Sequence, residues 1–388
     1  MFSRRSGFER RHNRLELARR EAVRSGRALL DLTESNPTRA ELPRFDAAIA
    51  ALARPAAHAY APEPFGMRSA RAAASAWMAQ HAAPVPTERI VLTASTSEAY
   101  AFLFKLLCDP GDEVLVPAPS YPLFEHLAQL EDVRARSYPL AYDGRWHITA
   151  EALHAARTPR TRAVVVVSPN NPTGSYLKRG ELAHMAQLQV PIISDEVFAP
   201  YPLTTDAERV PSALCATDAL VFTLHGLSKL AGLPQLKLSF LCAGGPQALV
   251  SEALARLELI ADSFLSVSTP VQLALPEILA AHAPVTNAIR DRLLRNLARL
   301  SLHTADTPVT ALHVEGGWYA VLHLPRLMDD EDWALALLDR ADTLVQPGYF
   351  YDLEDGPYVV LSLLTPGATF ETGLGRLVEC VQAVARGA

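Results

Sequence analysis

The sequence predicts an α/β protein in which a mostly parallel sheet is wound by helices and followed by a smaller α+β region. Between about residues 87 and 245, short β-rich runs alternate with amphipathic stretches, the pattern of strands joined by crossover helices. From about residue 246 the pattern turns helical before strands return. A chain of 388 residues is long enough for one large domain and a smaller lobe.

Six strands are predicted in the first region, each a short run rich in Val, Ile, Leu, Phe or Thr. In chain order they are Ile90–Thr93, Glu113–Val116, Ala163–Ser168, Pro191–Asp195, Leu220–Leu224 and Leu238–Ala243. Several end in polar or glycine-containing turns. Open α/β sheets bind ligands beyond the carboxyl ends of their strands, so these turns are where a site is expected.

The second region predicts an α+β lobe. Helical periodicity covers Leu249–Leu259 and an arginine-rich segment, Asn287–Leu300, that we expect to link the two lobes. The elements predicted after it are a strand within Gly316–Pro325, a helix over Glu331–Arg340 and a strand over Val359–Leu363.

The basic N-terminus predicts a surface helix. Glu9, Glu16 and Glu21 are interleaved at roughly helical spacing with its arginines, which are Arg4, Arg5, Arg10, Arg11, Arg14, Arg19 and Arg20. A transit peptide would lack the acids, and a secretory signal would need an apolar core that this segment does not have.

Composition argues against several classes of protein. The formal net charge of −6 gives no general attraction to nucleic acid. The longest apolar strand-like run, Ala163–Val167, is far too short to span a bilayer. The four cysteines have no CxxC pair and no histidine spacing typical of zinc. We therefore expect a cytoplasmic protein with reduced thiols, no metal, no nucleic-acid partner and no membrane span.

Ser228 and Lys229 lie in a run that is suited to holding an aldehyde. A lysine that forms a Schiff base must lose its proton near neutral pH, which desolvation and a second cation promote. Lys237, past the turn at Gly232 and Pro234, is the candidate second cation. Taken alone, such a run is more often a solvated loop than a site.

Other polar residues follow the neighbouring predicted strands. Asp195 is suited to hold a metal or a cationic ring nitrogen, or to cap the next helix. The turn Asn170-Asn171-Pro-Thr-Gly174 is suited to face a ligand or simply to reverse the chain. Ser95 and Thr96 begin a predicted helix. The free N–H groups of its first turn favour a phosphate, but a serine that only caps the helix would give the same sequence. Tyr121 is either a stacking platform or a packing residue.

In order and spacing, these motifs resemble the class I/II aminotransferases of fold type I, which bind pyridoxal 5′-phosphate (PLP). The resemblance runs from roughly Asp31 to Leu364. It implies a large domain with a mostly parallel seven-stranded sheet between helices, plus a smaller α+β domain. The implied divisions are an N-terminal helix and arm over 1–45, a PLP-binding domain over 46–275 and a small C-terminal domain over 276–388.

The resemblance also implies a role for each matched residue. Lys229 would form the Schiff base and shuttle the proton, and Asp195 would pair with the pyridinium nitrogen. Asn171 would hydrogen-bond the ring O3′ and Tyr121 would stack on the ring. Ser95, Thr96, Ser228 and Lys237 would surround the phosphate. Tyr60 resembles a tyrosine that this family lends to the neighbouring subunit's phosphate, which implies a homodimer with shared active sites.

Three positions depart from the family pattern around the cofactor. Phe198 stands where tyrosine commonly donates to O3′, so we expect the Schiff base to have a raised pKa. Gly226 replaces a phosphate-side hydroxyl. Lys237 replaces the usual arginine, a point charge in place of a bidentate fork.

The fourth departure concerns the substrate. Val360 stands where most members carry an arginine that clamps the substrate α-carboxylate, and losing that partner costs roughly 2–5 kcal/mol if nothing replaces it. Arg39 and Arg68 are the candidate replacements, although both are equally explained as surface arginines.

The expected function is that of a PLP-dependent aminotransferase, moving an amino group between an amino acid or amine and a 2-oxo acid by ping-pong chemistry on Lys229. The alternative is a PLP-dependent lyase, decarboxylase or oxidase, because the missing clamp helps set which Cα bond breaks. A third reading is a non-catalytic PLP-binding regulatory protein.

Overall fold

The computed structural model describes residues 2–8 and 13–387. Its α-helices, in chain order, are α1 Arg14–Arg24, α2 Asp46–Ala50, α3 Arg68–His81, α4 Thr96–Leu107, α5 Leu123–Leu130, α6 Ala150–Ala156, α7 Arg179–Gln187, α8 Leu227–Leu230, α9 Gln247–Asp262, α10 Thr269–Ala281, α11 Ala283–Thr304, α12 Asp330–Ala341 and α13 Gly367–Ala385. Its strands are β1 Leu30–Asp31, β2 Ile90–Thr93, β3 Glu113–Ala118, β4 Arg134–Pro139, β5 Ala141–Tyr142, β6 Trp146–His147, β7 Thr161–Val167, β8 Ile192–Asp195, β9 Val221–Gly226, β10 Ser239–Gly244, β11 Thr310–Ala311, β12 Tyr319–His323, β13 Thr343–Leu344, β14 Gln346–Pro347 and β15 Tyr358–Ser362.

The large sheet has seven strands in the order β2-β10-β9-β8-β7-β3-β4. Strand β10 pairs antiparallel with both of its neighbours, and the remaining pairs are parallel. This confirms the α/β class and the mostly parallel seven-stranded sheet. All six strands predicted from residue patterns belong to it.

The seventh strand, β4, has no apolar run in the sequence. It lies at the sheet edge, and among the described strands it pairs with β3 alone. Arg134, Ser137 and Pro139 are exposed on it, whereas Tyr138 is fully buried. An edge strand packs against few neighbours, so it lacks the hydrophobic pattern that predicts central strands.

Apolar side chains cover both faces of the large sheet, as a parallel sheet between helices requires. Val114, Val165 and Phe222 pack in one cluster with the helices α4 and α9. Leu115, Val164 and Val166 pack in a cluster on the opposite face. The alternation along β3 and β7 fixes the strand register, and with it the position of each strand end.

The smaller sheet has the order β11-β12-β15-β14, and its pairs are antiparallel. The helices α12 and α13 pack against this region, as the α+β prediction requires. The predicted boundary between residues 275 and 276 falls inside α10. The divisions at 45 and 275 therefore stay predictions.

The N-terminal helix begins later than the arginine pattern predicted. Arg4 and Arg5 lie in a short 3₁₀ turn, and Glu9, Arg10 and Arg11 lie outside the described residues. The helix α1 starts at Arg14 because the Asn13 side chain caps it, accepting a 2.7 Å hydrogen bond from the Glu16 N–H. Among the helices of the described residues, none is long and apolar enough to cross a bilayer.

Candidate active site

Lys229 lies on the short helix α8, which follows β9 directly through Gly226. Its Nζ is 5.4 Å from the ring centroid of Phe198 and 4.8 Å from that of Trp318. Burial lowers the pKa of Lys229 to about 8, although the nearby charge of Asp195 acts in the opposite direction. Burial therefore increases the neutral, nucleophilic fraction of this amine near physiological pH.

Asp195 ends β8, the strand beside β9. Its carboxylate accepts hydrogen bonds from the Tyr100 hydroxyl and the Val197 N–H, each 3.2 Å long. Burial raises the pKa of Asp195 to about 6, against the effect of these donors and of Lys229. A buried carboxylate with so few partners gains from a cationic group placed next to it.

The two asparagines after β7 have different roles. Asn170 is fully engaged: its Nδ2 donates to Pro119 O and to Thr173 Oγ1, and its Oδ1 accepts from Ser120 Oγ. Asn171 is equally buried, yet its Oδ1 has no hydrogen-bond partner among the described residues. Buried polar atoms are normally paired, so this orphan amide indicates a place for a ligand.

Ser95 and Thr96 begin the helix α4. The Ser95 hydroxyl accepts the Glu98 N–H at 3.1 Å, so its N-cap role is realised. The first-turn N–H groups of such a helix suit an anion. Ser228 is half-buried beside Lys229, whereas Lys237 is exposed and adopts a left-handed backbone with φ 50°.

Gly226, where the family pattern has a hydroxyl, faces Ser239 of the adjacent strand. The two residues are register partners, and a Cβ added at residue 226 would come within 2.5 Å of Ser239 Oγ. Any side chain at 226 would therefore collide with this buried hydroxyl. Ser239 could not be identified from the sequence, because only the register of β10 on β9 places it opposite Gly226.

The two tyrosines predicted to contact the cofactor differ in solvent exposure. Tyr121 is part-exposed, and burial together with the charge of Asp195 raises its pKa. Tyr60 lies in the loop before α3 with 78% of its surface exposed. It is available to a second molecule.

The candidate substrate residues are separated by the fold. Val360 is buried in β15, 1% exposed, within an apolar cluster. Arg68 is exposed and forms a 3.6 Å ion pair with Glu88. Arg39 is also exposed, in the turn that follows Ser35. Phe198 is buried, with its ring edge-on to Trp318 and beside Lys229.

Trp318 and Tyr319 also reach this site from the small sheet and were missed by the sequence reasoning. The available signal was the Gly316-Gly317 pair before them. Gly317 has φ 81°, and a Cβ at Gly316 would lie 2.7 Å from Tyr201 O. Two glycines thus let the backbone pass close to the large domain. They place Trp318 beside Lys229 and Tyr319 beside Phe198.

Fold and site together define a class. A lysine after β9, a buried carboxylate at the end of the neighbouring strand β8 and an asparagine with an unpaired side-chain oxygen after β7 fit the amine-bound aldehyde, ring nitrogen and phenolic oxygen of pyridoxal phosphate. This is the arrangement of fold-type I PLP proteins.

Comparison with known proteins gives the family. The family model described as "Aminotransferase class I and II" matches residues 27–358. This chain belongs to that family, whose members depend on PLP. It is 30% identical over 229 residues to the glutamate-pyruvate aminotransferase AlaA of Escherichia coli, covering 58% of this chain and 56% of that protein. It is 30% identical over 271 residues to an alanine aminotransferase of Mycobacterium tuberculosis, covering 67% of this chain and 63% of that protein. The chain thus matches less than two thirds of the length of these relatives.

Solved structures share the fold over nearly the whole chain. An alanine aminotransferase from Pyrococcus furiosus superposes with a TM-score of 0.89 at 22% identity, covering 98% of this chain and 99% of that one. A double mutant of Thermus thermophilus aspartate aminotransferase superposes with a TM-score of 0.85 at 24% identity, covering 98% of this chain and 99% of that one.

Proposed function

We propose that this protein is a PLP-dependent aminotransferase that moves an amino group between an amino acid or amine and a 2-oxo acid. The observation that carries the proposal is Lys229, an amine whose pKa burial lowers to about 8, beside the buried carboxylate of Asp195. Pyridoxal phosphate, when bound, supplies the electron sink that stabilises a carbanion at the substrate Cα. Family membership and the names of its relatives support the same activity.

The residues of this chain would divide the work. Lys229 Nζ would hold the cofactor and would take the proton from the substrate Cα. Asp195 would keep the ring nitrogen cationic, and Asn171 would bind the phenolic oxygen. Tyr121 would cover the ring. The residues that would bind the phosphate are Ser95, Thr96, Ser228 and Lys237.

A homodimer in the cytoplasm is part of this proposal. Tyr60 is exposed and would complete the phosphate site of a second copy. The four cysteines are all free thiols, which is typical of a reducing compartment.

The test is spectroscopic. The purified protein should be yellow with PLP and should be bleached by borohydride with covalent retention of the cofactor, whereas Lys229→Ala should retain none. An amino donor should convert the cofactor to its pyridoxamine form, and a 2-oxo acid should reverse the change. A preparation that stays colourless with added PLP would refute the proposal.

The second candidate function, a lyase, decarboxylase or oxidase, is favoured by one observation: the apolar, buried Val360 at the position of the family's carboxylate clamp. Release of ammonia, CO2 or peroxide without pyridoxamine formation would identify it.

A further inference from the structure

Four side chains share one face of the small sheet. Val360 on β15 is the register partner of Val321 on β12 and of Gln346 on β14. Cross-strand partners lie on one face, and Tyr319, two residues before Val321, lies on that face too. Tyr319 and Gln346 therefore flank Val360 on opposite sides.

Tyr319 connects this face to the catalytic centre. The Tyr319 ring is edge-on to the Phe198 ring, with 6.2 Å between the two ring centroids. The Phe198 ring centroid in turn lies 5.4 Å from Lys229 Nζ. Burial raises the pKa of Tyr319 to about 12, against a hydrogen bond with Ser35. The phenol thus stays protonated at neutral pH and keeps a hydroxyl donor.

The Gln346 amide has a fixed orientation. The Tyr351 hydroxyl donates a hydrogen bond to Gln346 Oε1, and the Tyr351 ring lies 6.4 Å from that of Tyr319. With the oxygen occupied, the two Nε2 hydrogens are left over, and no partner for them occurs among the described residues. A neutral amide donor pair is thus oriented beside Val360.

The charged groups that raise the pKa values of the nearby phenols are acids: Asp195 acts on Tyr121 and Glu34 acts on Tyr319. Tyr319 and Gln346 offer neutral hydrogen-bond donors to an anionic part of a ligand.

We propose that the Tyr319 hydroxyl and the Gln346 amide bind the carboxylate that the amino acid and the 2-oxo acid have in common. The inference deepens the proposed aminotransferase function and rests on it for the identity of the ligand. Tyr351 acts as a positioning residue, because it orients the amide without touching the carboxylate.

Binding of propionate, a carboxylate with no amino group, tests the inference without turnover. Propionate is titrated into the PLP-loaded protein, and Kd is read from the cofactor spectrum. Tyr319→Phe and Gln346→Leu should each weaken propionate binding about tenfold, the effect of losing one hydrogen bond to a charged group. The double variant should lose more than either. Tyr142→Phe, the same change on an exposed tyrosine, should bind propionate normally.

The readouts separate a binding role from a structural one. In both variants Kd for PLP should be unchanged, and so should the KM of a primary amine that lacks a carboxylate, while the KM of amino acids rises. Unchanged propionate binding in both variants would overturn the inference. So would a large loss confined to Arg39→Ala, because that arginine would then be the clamp. If propionate binds as expected but no donor is transaminated, the proposed function fails and the carboxylate site stands.

Discussion

The Tyr201 hydroxyl donates a 2.5 Å hydrogen bond to the backbone carbonyl of Lys229. The next carbonyl, that of Leu230, accepts a 2.8 Å hydrogen bond from Thr286 Oγ1 on α11. The last carbonyls of a helix lack partners within the helix, and α8 is only four residues long. The backbone that carries the lysine is therefore held from outside its own helix.

Tyr201→Phe should reduce turnover while the KM of the amino donor stays constant, because it loosens the backbone of Lys229 and touches no substrate. Leaving the buried carbonyl unpaired should also destabilise the protein by about 1–3 kcal/mol. Steady-state kinetics and thermal melting measure the two effects. Thr286→Val, which removes the shorter hydrogen bond to the neighbouring carbonyl, is the matched control and should lower stability with a smaller loss of turnover. Equal losses of turnover in both variants would contradict a specific role for Tyr201.

Uptake of PLP by the apo protein should depend on pH through Lys229. Its pKa of about 8 is below the ordinary 10.5 because burial disfavours the charged amine. The neutral amine is the nucleophile, so the rate should rise about tenfold per pH unit below 8 and level off above about 9. Stopped-flow absorbance follows the reaction. A rate still rising at pH 10 would show that the lysine is not desolvated.

The strands at the centre of the large sheet could be predicted from sequence because β7 and its neighbours bury both faces and are rich in Val and Ile. The positions of Asp195 and Asn171 could also be predicted, since Asp195 ends β8 and Asn171 lies in the turn after β7. Residues that depend on register could not. Ser239 meets Gly226, and Gln346 meets Val360, only through strand pairings between segments distant in sequence. The Tyr201 contact likewise depends on how α8 packs.

Asp195→Asn should stabilise the apo protein at neutral pH. Burial raises the pKa of Asp195 from 3.8 to about 6, so the folded state favours the protonated acid. The associated stability is present below about pH 3.8 and is lost as the pH rises through 6. Asparagine stays neutral, so the apo variant should melt about 2 °C or more above the wild type at pH 8, with little difference near pH 4. Holoenzyme activity should fall because the ring nitrogen loses its anionic partner. A variant less stable than wild type at pH 8 would contradict the burial argument.

Phe198→Tyr should lower the pH at which the bound cofactor changes colour. Phe198 is 4% exposed, and its ring lies beside Lys229. A hydroxyl added there can donate to the phenolic oxygen of the cofactor and stabilise its anionic form, which we expect to shift the transition by about one pH unit. Spectral titration of the holoenzyme measures the shift. A transition that moves upward would mean that the new hydroxyl points elsewhere.

Adjacent asparagines provide a matched pair that separates cofactor binding from folding. Asn170→Ala removes three side-chain hydrogen bonds, including those to Pro119 O and Ser120 Oγ. It should lower the stability of apo and holo protein alike by about 1–3 kcal/mol.

Asn171→Ala removes an amide whose oxygen has no partner in the described residues, so the apo protein should melt at nearly the wild-type temperature. Its affinity for PLP should fall about tenfold, because the phenolic oxygen loses its donor. Equilibrium dialysis of PLP and melting of both apo variants distinguish the two roles. If Asn171→Ala destabilised the apo protein as much as Asn170→Ala, its amide would be structural and the assignment of a ligand to it would be wrong.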